Sequence, residues 1–178
     1  MSSNATVTTT NMELTPMQVK FGASGSQVDL GGTLGNVVIS AKYHKADIKA
    51  DQSGISVRDR RVSGVEVTVT TELTEVQDKS KWQVVFPHAT FSGTGTTGNM
   101  TFVSNIGDGD QSNSQVLTLH PLSKGSADFS CDYTFYKATA SAESTITYGP
   151  TNQAALKLVW NILPDESTTP NRWFKYGV

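Results

Sequence analysis

A chain of 178 residues has room for one domain with a substantial core and not for two enzyme-sized lobes. Lys and Arg number 14 against 16 Asp and Glu, a formal charge of −2, so no overall basic field exists to hold nucleic acid irrespective of its sequence. Only 17% of residues are charged, while Thr, Ser, Val and Gly are abundant, a balance that favours short strands and turns over helices.

Residues 1–14 are rich in Ser, Thr and Asn and lack the basic start and apolar run of a signal peptide, so residues 1–16 are expected to form a flexible arm on a cytosolically made protein. No stretch approaches the roughly 20 apolar residues of a membrane helix. Residues 17–178 are expected to form a single β domain. Met17 to Phe21 alternate as a short strand, and Gly31, Gly32 and Gly35 mark a turn region. Val37, Ile39, Ala41 and Tyr43 then share one side of a strand, whereas Ala46, Ile48 and Ala50 follow in a shifted phase. A bulge near His44 would reset the alternation.

Residues 51–64 carry Gly54, Gly64 and the cluster Arg58, Asp59, Arg60 and Arg61 with little to bury, which predicts an exposed hairpin or loop. Val65, Val67 and Val69 alternate with Glu66, Thr68 and Thr70, giving a strand with one wet face. Residues 74–86 are the predicted helix, with Thr74 as N-cap and Gln77 at the capping-box position, while residues 82–86 also fit a strand. Residues 93–113 are polar and glycine-rich, an exposed and flexible excursion with one small hairpin around residues 100–103. Further strands are expected at residues 116–119, at Phe129, Cys131, Tyr133 and Phe135, at residues 146–148, and at Leu156, Leu158 and Trp160. The sum is an all-β sandwich or barrel of about eight to ten short strands with one flanking helix.

Chemical motifs are sparse. Gly93-Thr94-Gly95-Thr96-Thr97-Gly98 spells a dinucleotide loop, but a β-like segment follows it where a helix is required, so it reads as a turn. Asp108, Asp110 and Ser112 begin like a calcium loop, yet Asn113 and Leu119 stand where Gly and a bidentate acid belong. His44, His88 and His120 show no metal-ligand spacing. The single cysteine, Cys131, excludes an intramolecular disulfide and lies on the apolar side of its predicted strand, as a core residue would. Trp160, Trp173, Phe174 and Tyr176 fit core or interface packing better than a sugar platform. No acid, base and nucleophile come together, so a protein without enzymatic activity, cofactor or metal is expected.

Several segments, taken in order, resemble the major tail tube proteins of long-tailed, siphovirus-type bacteriophages. They are Phe21-Gly22, Asp29-Leu30-Gly31-Gly32-Thr33, Ala46-Asp47-Ile48-Lys49-Ala50-Asp51-Gln52-Ser53-Gly54 and Gly64-Val65-Glu66-Val67-Thr68-Val69. Leu117-Thr118-Leu119-His120-Pro121-Leu122, Thr134-Phe135-Tyr136-Lys137-Ala138 and Leu163-Pro164-Asp165 follow. Residues 93–113 and the C-terminal arm, residues 171–178, fit the pattern less closely.

The resemblance implies a structural virion protein: a β-sandwich with a flanking helix, six copies to a ring, and rings stacked into a hollow tail tube through which genome DNA reaches the host. Its partners would be itself and the tail tape-measure, distal tail and tail terminator proteins, with double-stranded DNA in transient, non-specific passage and no membrane. It would be made and assembled in the host bacterial cytoplasm and reside in the virion tail. On this reading the lumen is lined by Ser40, Lys42, Asp47, Lys49, Glu66, Thr68, Thr70 and Glu72. Asp51, Gln52, Ser53, Gly54, Arg58, Asp59, Arg60 and Arg61 would form the loop that contacts the next ring. Trp173, Phe174 and Tyr176 would dock on an adjacent subunit. The alternatives are an immunoglobulin-like surface-binding or adhesin module that uses the residue 93–113 loop, and the inner-tube protein of a contractile injection system.

Overall fold

Alternation of β-branched and polar residues builds nearly all the regular structure of this chain. The computed structural model describes residues 15–49, 56–103, 107, 109–151 and 153–178. Among them are ten strands and two short helices, an all-β fold with a flanking helix. The elements run β1 (Met17–Gly22), β2 (Val28–Gly32), β3 (Val38–Lys49), β4 (Val57–Leu73), α1 (Lys79–Val85), β5 (Ala89–Ser92) and β6 (Asn99–Phe102). After these come α2 (Asp110–Asn113), β7 (Gln115–Pro121), β8 (Tyr133–Thr147), β9 (Ala155–Ile162) and β10 (Phe174–Tyr176).

One antiparallel sheet has the order β2-β1-β7-β8-β9-β4-β3, with β10 added to β8 and β5–β6 forming a separate hairpin. Its two outermost strands, β2 and β3, are consecutive in the chain and joined by residues 33–37. Thr33 bridges to Leu73, and the Leu34 amide donates to the Glu72 carbonyl at 2.7 Å. The sheet therefore curls until its ends meet. Inside lie Val19, Phe21, Val69, Leu117, Leu119, Phe135, Leu158 and Trp160, each at most 2% exposed. Trp160 stacks at 4.8 Å on Phe21, and its indole N–H donates to the buried Thr71 hydroxyl at 2.9 Å.

Several expectations change. Gly31 and Gly32 belong to strand β2, leaving Gly35, with φ of +72°, in the turn. The helix begins five residues later than the expected Thr74 cap, because the Thr74 amide and hydroxyl are both taken by the Gly32 carbonyl across the barrel seam. Asp78 caps it instead, accepting from the Ser80 amide, and Gln77 precedes the cap. The helix continues to Val85, so the strand alternative for residues 82–86 loses. Strand β8 starts only at Tyr133. Phe129 and Cys131 sit in the preceding turn, where Asp132 points inward to His120 at 2.7 Å, both side chains buried. Residues 146–147 extend β8 and form no separate strand. Strands β4 and β8, with 17 and 15 residues, are long, not short.

The Gly93–Gly98 segment is the connection of the β5–β6 hairpin. Gly93 has φ of +127°, and a Cβ there would lie 2.4 Å from the Gly98 backbone, so this tight turn demands glycine. Asp110 opens the four-residue α2, an element the sequence pattern had not suggested; Asp108 lies outside the described residues, as do residues 1–14 of the expected N-terminal arm. No helix among the described residues is long and apolar enough to cross a membrane.

Candidate functional site

Strand β3 pairs with β4 along its whole length, from Val38 opposite Thr70 to Lys49 opposite Val57. Strand β9 supports β4 only from Val67 to Leu73. Beyond that point the β3–β4 ribbon leaves the barrel as a two-stranded arm, and residues 40–47 and 56–63 are exposed on both of its faces. The outer edge of β3 pairs with no strand among the described residues over its 12 residues.

Two bulges shape the arm. Between His44 and Lys45 the extra residue, Ser63, lies in β4; between Ile48 and Lys49 it is Arg58, again in β4. The bulge expected near His44 is present, but its extra residue lies in β4 and does not reset the facing of β3, so Ala46 and Ile48 lie on the face opposite to Ile39 and Tyr43. Because β3 itself is never interrupted, its even-numbered residues hold one face throughout and its odd-numbered residues the other. On the face of the half-buried Ile39 follow the exposed Ala41, then Tyr43, paired with Val65, and Lys45, paired with Val62. Tyr43 is 61% exposed and Val62 57%, a row of apolar side chains that runs past the end of the core that would cover it.

The opposite face is polar. Lys42 faces Glu66, Ser40 faces Thr68, and Val38 faces Thr70. Strand β9 continues these rows with Asn161 beside Thr68, Val159 beside Thr70 and Lys157 beside Glu72. Six of the residues expected to line a channel, Ser40, Lys42, Glu66, Thr68, Thr70 and Glu72, thus share one surface. Asp47 and Lys49 do not: their odd positions in β3 put them on the other face. Asn161 and Lys157 join the surface and were missed, although they alternate with Leu158, Trp160 and Ile162 and were legible for that reason.

Arg58, Asp59, Arg60 and Arg61 lie on strand β4, paired with β3 as an exposed hairpin, so of the two expected forms the hairpin holds and the loop does not. Sequence alternation could not reveal this strand because neither of its faces is buried. Asp51, Gln52, Ser53 and Gly54 lie outside the described residues. Arg60 donates to Asp47 across the ribbon at 3.0 Å, Arg61 approaches Asp59 at 3.9 Å, and His44 approaches Glu66 at 3.3 Å. All are exposed, so each contributes about 0–1 kcal/mol within one chain.

The C-terminal arm lies on its own sheet. Strand β10 pairs Phe174 with Phe135 and Tyr176 with Tyr133, the rings 5.4 and 4.6 Å apart. The Tyr136 amide donates to the Trp173 carbonyl, and the Gly177 amide donates to that of Asp132. Phe174 and Tyr176 nevertheless keep exposed outer surfaces.

A clamp holds the segment that leads to this arm. Arg172 donates to Asp165 at 2.7 Å and lies 3.9 Å over the Tyr136 ring. The Ser167 hydroxyl, donating to Asp165, and then Arg172 bring the Asp165 carboxyl down to about 2. The unfolded carboxyl titrates near its ordinary 3.8, so the clamp stabilises fully above about pH 4 and fades as pH falls toward 2. Asp165→Asn is expected to lower the urea midpoint at pH 7 and to flatten its decline between pH 4 and 2. A wild-type-like slope for the variant would exclude Asp165 as the group responsible.

Among the described residues no three His, Cys, Asp or Glu side chains gather as metal ligands would. No protein-family model matches the chain, and no curated protein matches it.

Proposed function

We propose that this chain is the repeating subunit of a bacteriophage tail tube, polymerising as stacked six-membered rings around a channel for genome DNA. The observation that carries this reading is the β3–β4 arm. A two-stranded ribbon is marginally stable at best in water, and a long open strand edge invites pairing. Identical copies closing round a ring would cover both the edge and the apolar row at Tyr43 and Val62, and a closed ring leaves no edge to aggregate.

The polar face supports the same reading. Its hydroxyls and Asn161 are neutral, and Lys42 and Lys157 stand opposite Glu66 and Glu72. Duplex DNA carries about one negative charge per 1.7 Å of axis, so a wall of balanced charge lets it slide where a basic wall would hold it. The basic residues gather instead toward the arm's tip, where Arg58, Arg60 and Arg61 would meet the next ring. The C-terminal aromatics would then add their outer surfaces to a subunit boundary.

Negative-stain microscopy of the purified chain over a concentration series tests this. Hollow filaments, or rings that stack when tail initiator proteins are added, are the expected outcome. Monomers under all these conditions would overturn it and favour the surface-binding module.

A further inference from the structure

Beyond the barrel the two faces of the β3–β4 arm differ in charge. On the face of Tyr43, Lys45, Lys49 and Arg60 stand against Asp47, a formal +2, beside the exposed apolar side chains of Tyr43, Val57 and Val62. On the other face Lys42 and Arg61 stand against Asp59 and Glu66, and the charge cancels. An exposed apolar face with a net positive charge is complementary to a surface that is apolar and acidic.

The body of the chain offers such a surface. Cavities of about 790 and 450 Å³ share Trp82, Phe102 and Ile146 in their linings and so form one groove between α1, β6 and the end of β8. Phe102 is 59% exposed and Tyr148, which also lines the groove, 70%. A monomer rarely leaves so continuous an apolar patch open to water. No Lys or Arg occurs among residues 82–123 or 138–156, which supply β5, β6, α2, β7 and most of β8. A third cavity that shares Val76 and Gln77 with the groove brings in Glu75 and Asp78, and Asp110 lines the second. Against these three acids stand Lys79, donating to the Gly98 carbonyl at 2.8 Å, and Lys81, paired with Glu75, which leaves a formal −1. Strand β6 pairs only with β5 among the described residues, so its other edge is open as well.

We propose that the apolar, basic face of one subunit's arm seats in this groove of the neighbouring subunit, with Tyr43 and Val62 against Phe102 and Tyr148 and the arm's cations toward Asp78 and Asp110. The seat rests on the ring assembly proposed above and gives it its second surface: a ring closed head to tail needs two different patches on every copy, and the arm and the groove are those two. Apolar contact supplies the affinity, and the opposite charges decide which face of the arm enters.

Two measurements on the full chain test the seat apart from the tube. Phe102→Asp combined with Tyr148→Asp puts charge into the apolar contact, yet both side chains are exposed in the free subunit. The monomer should keep its urea midpoint while the concentration needed for filaments rises about ten-fold or more. Filaments of this variant at the wild-type concentration would overturn the seat. The second measurement uses chains carrying Cys131→Ser, one with Lys45→Cys and the other with Thr101→Cys, both positions being exposed. Purified apart and assembled together, they should be joined by a short bismaleimide into a covalent dimer, and neither chain assembled alone should give it. Filaments without that dimer overturn the seat and leave the tube reading standing, whereas a wild-type chain that never polymerises overturns both. Should the aspartates unfold the monomer, the cross-link decides alone.

Discussion

A chain carrying Arg58→Glu, Arg60→Glu and Arg61→Glu should form no filaments while its monomer stays folded. All three positions are exposed on the part of β4 that has left the barrel, and the pairs they make within the chain are each worth about 0–1 kcal/mol. The monomer's urea midpoint and circular dichroism should therefore change little. Between copies the same reversal replaces attraction by repulsion at every repeat. If assembly loses about 1–2 kcal/mol per subunit, the concentration it needs rises roughly 5- to 30-fold, because every 1.4 kcal/mol is a factor of ten. Normal filaments at wild-type concentrations would remove the arm's basic strand from any stacking role.

Trp160→Ala should unfold the chain or come close to it. The side chain is fully buried, stacks on Phe21 and satisfies the Thr71 hydroxyl, which is itself buried. Truncating a large buried aromatic costs about 3–5 kcal/mol, and stranding Thr71 adds about 1–3 kcal/mol, against a total stability of about 5–15 kcal/mol. Trp160→Phe keeps most of the volume and should lose far less. Urea denaturation at 25 °C separates the two, and an alanine variant within about 1 kcal/mol of wild type would mean that the barrel interior is not the stabilising core.

The parts of the fold legible in the sequence are those with one dry and one wet face. Val65, Val67 and Val69 declared their strand, whereas the shift of apolar residues from odd to even positions after Tyr43 marks no reset of β3, whose faces continue unchanged past His44. Long-range contacts hid the rest. Thr74 has the side chain of a helix cap, but the barrel seam claims it from 42 residues away. Phe129 and Cys131 continue an alternation that looks like strand, yet the pairing of Asp132 with His120 turns that stretch into a corner. The basic cluster gave no strand signal because a ribbon wet on both faces has no period to detect.

Strand β4 belongs at one end to the closed sheet and at the other to the exposed ribbon, and its 17 residues would span roughly 55 Å if fully extended. Pairing with β3 resumes beyond each bulge, so the ribbon is continuous from tip to barrel and bends where the bulges lie. A push on Arg60 is delivered, residue by residue, to Val67 and Val69 beneath the Trp160 ring. Neighbours gripping such ribbons would fix one another's tilt as well as their spacing, and the stiffness of the whole column would be set by the bending of one ribbon repeated many times.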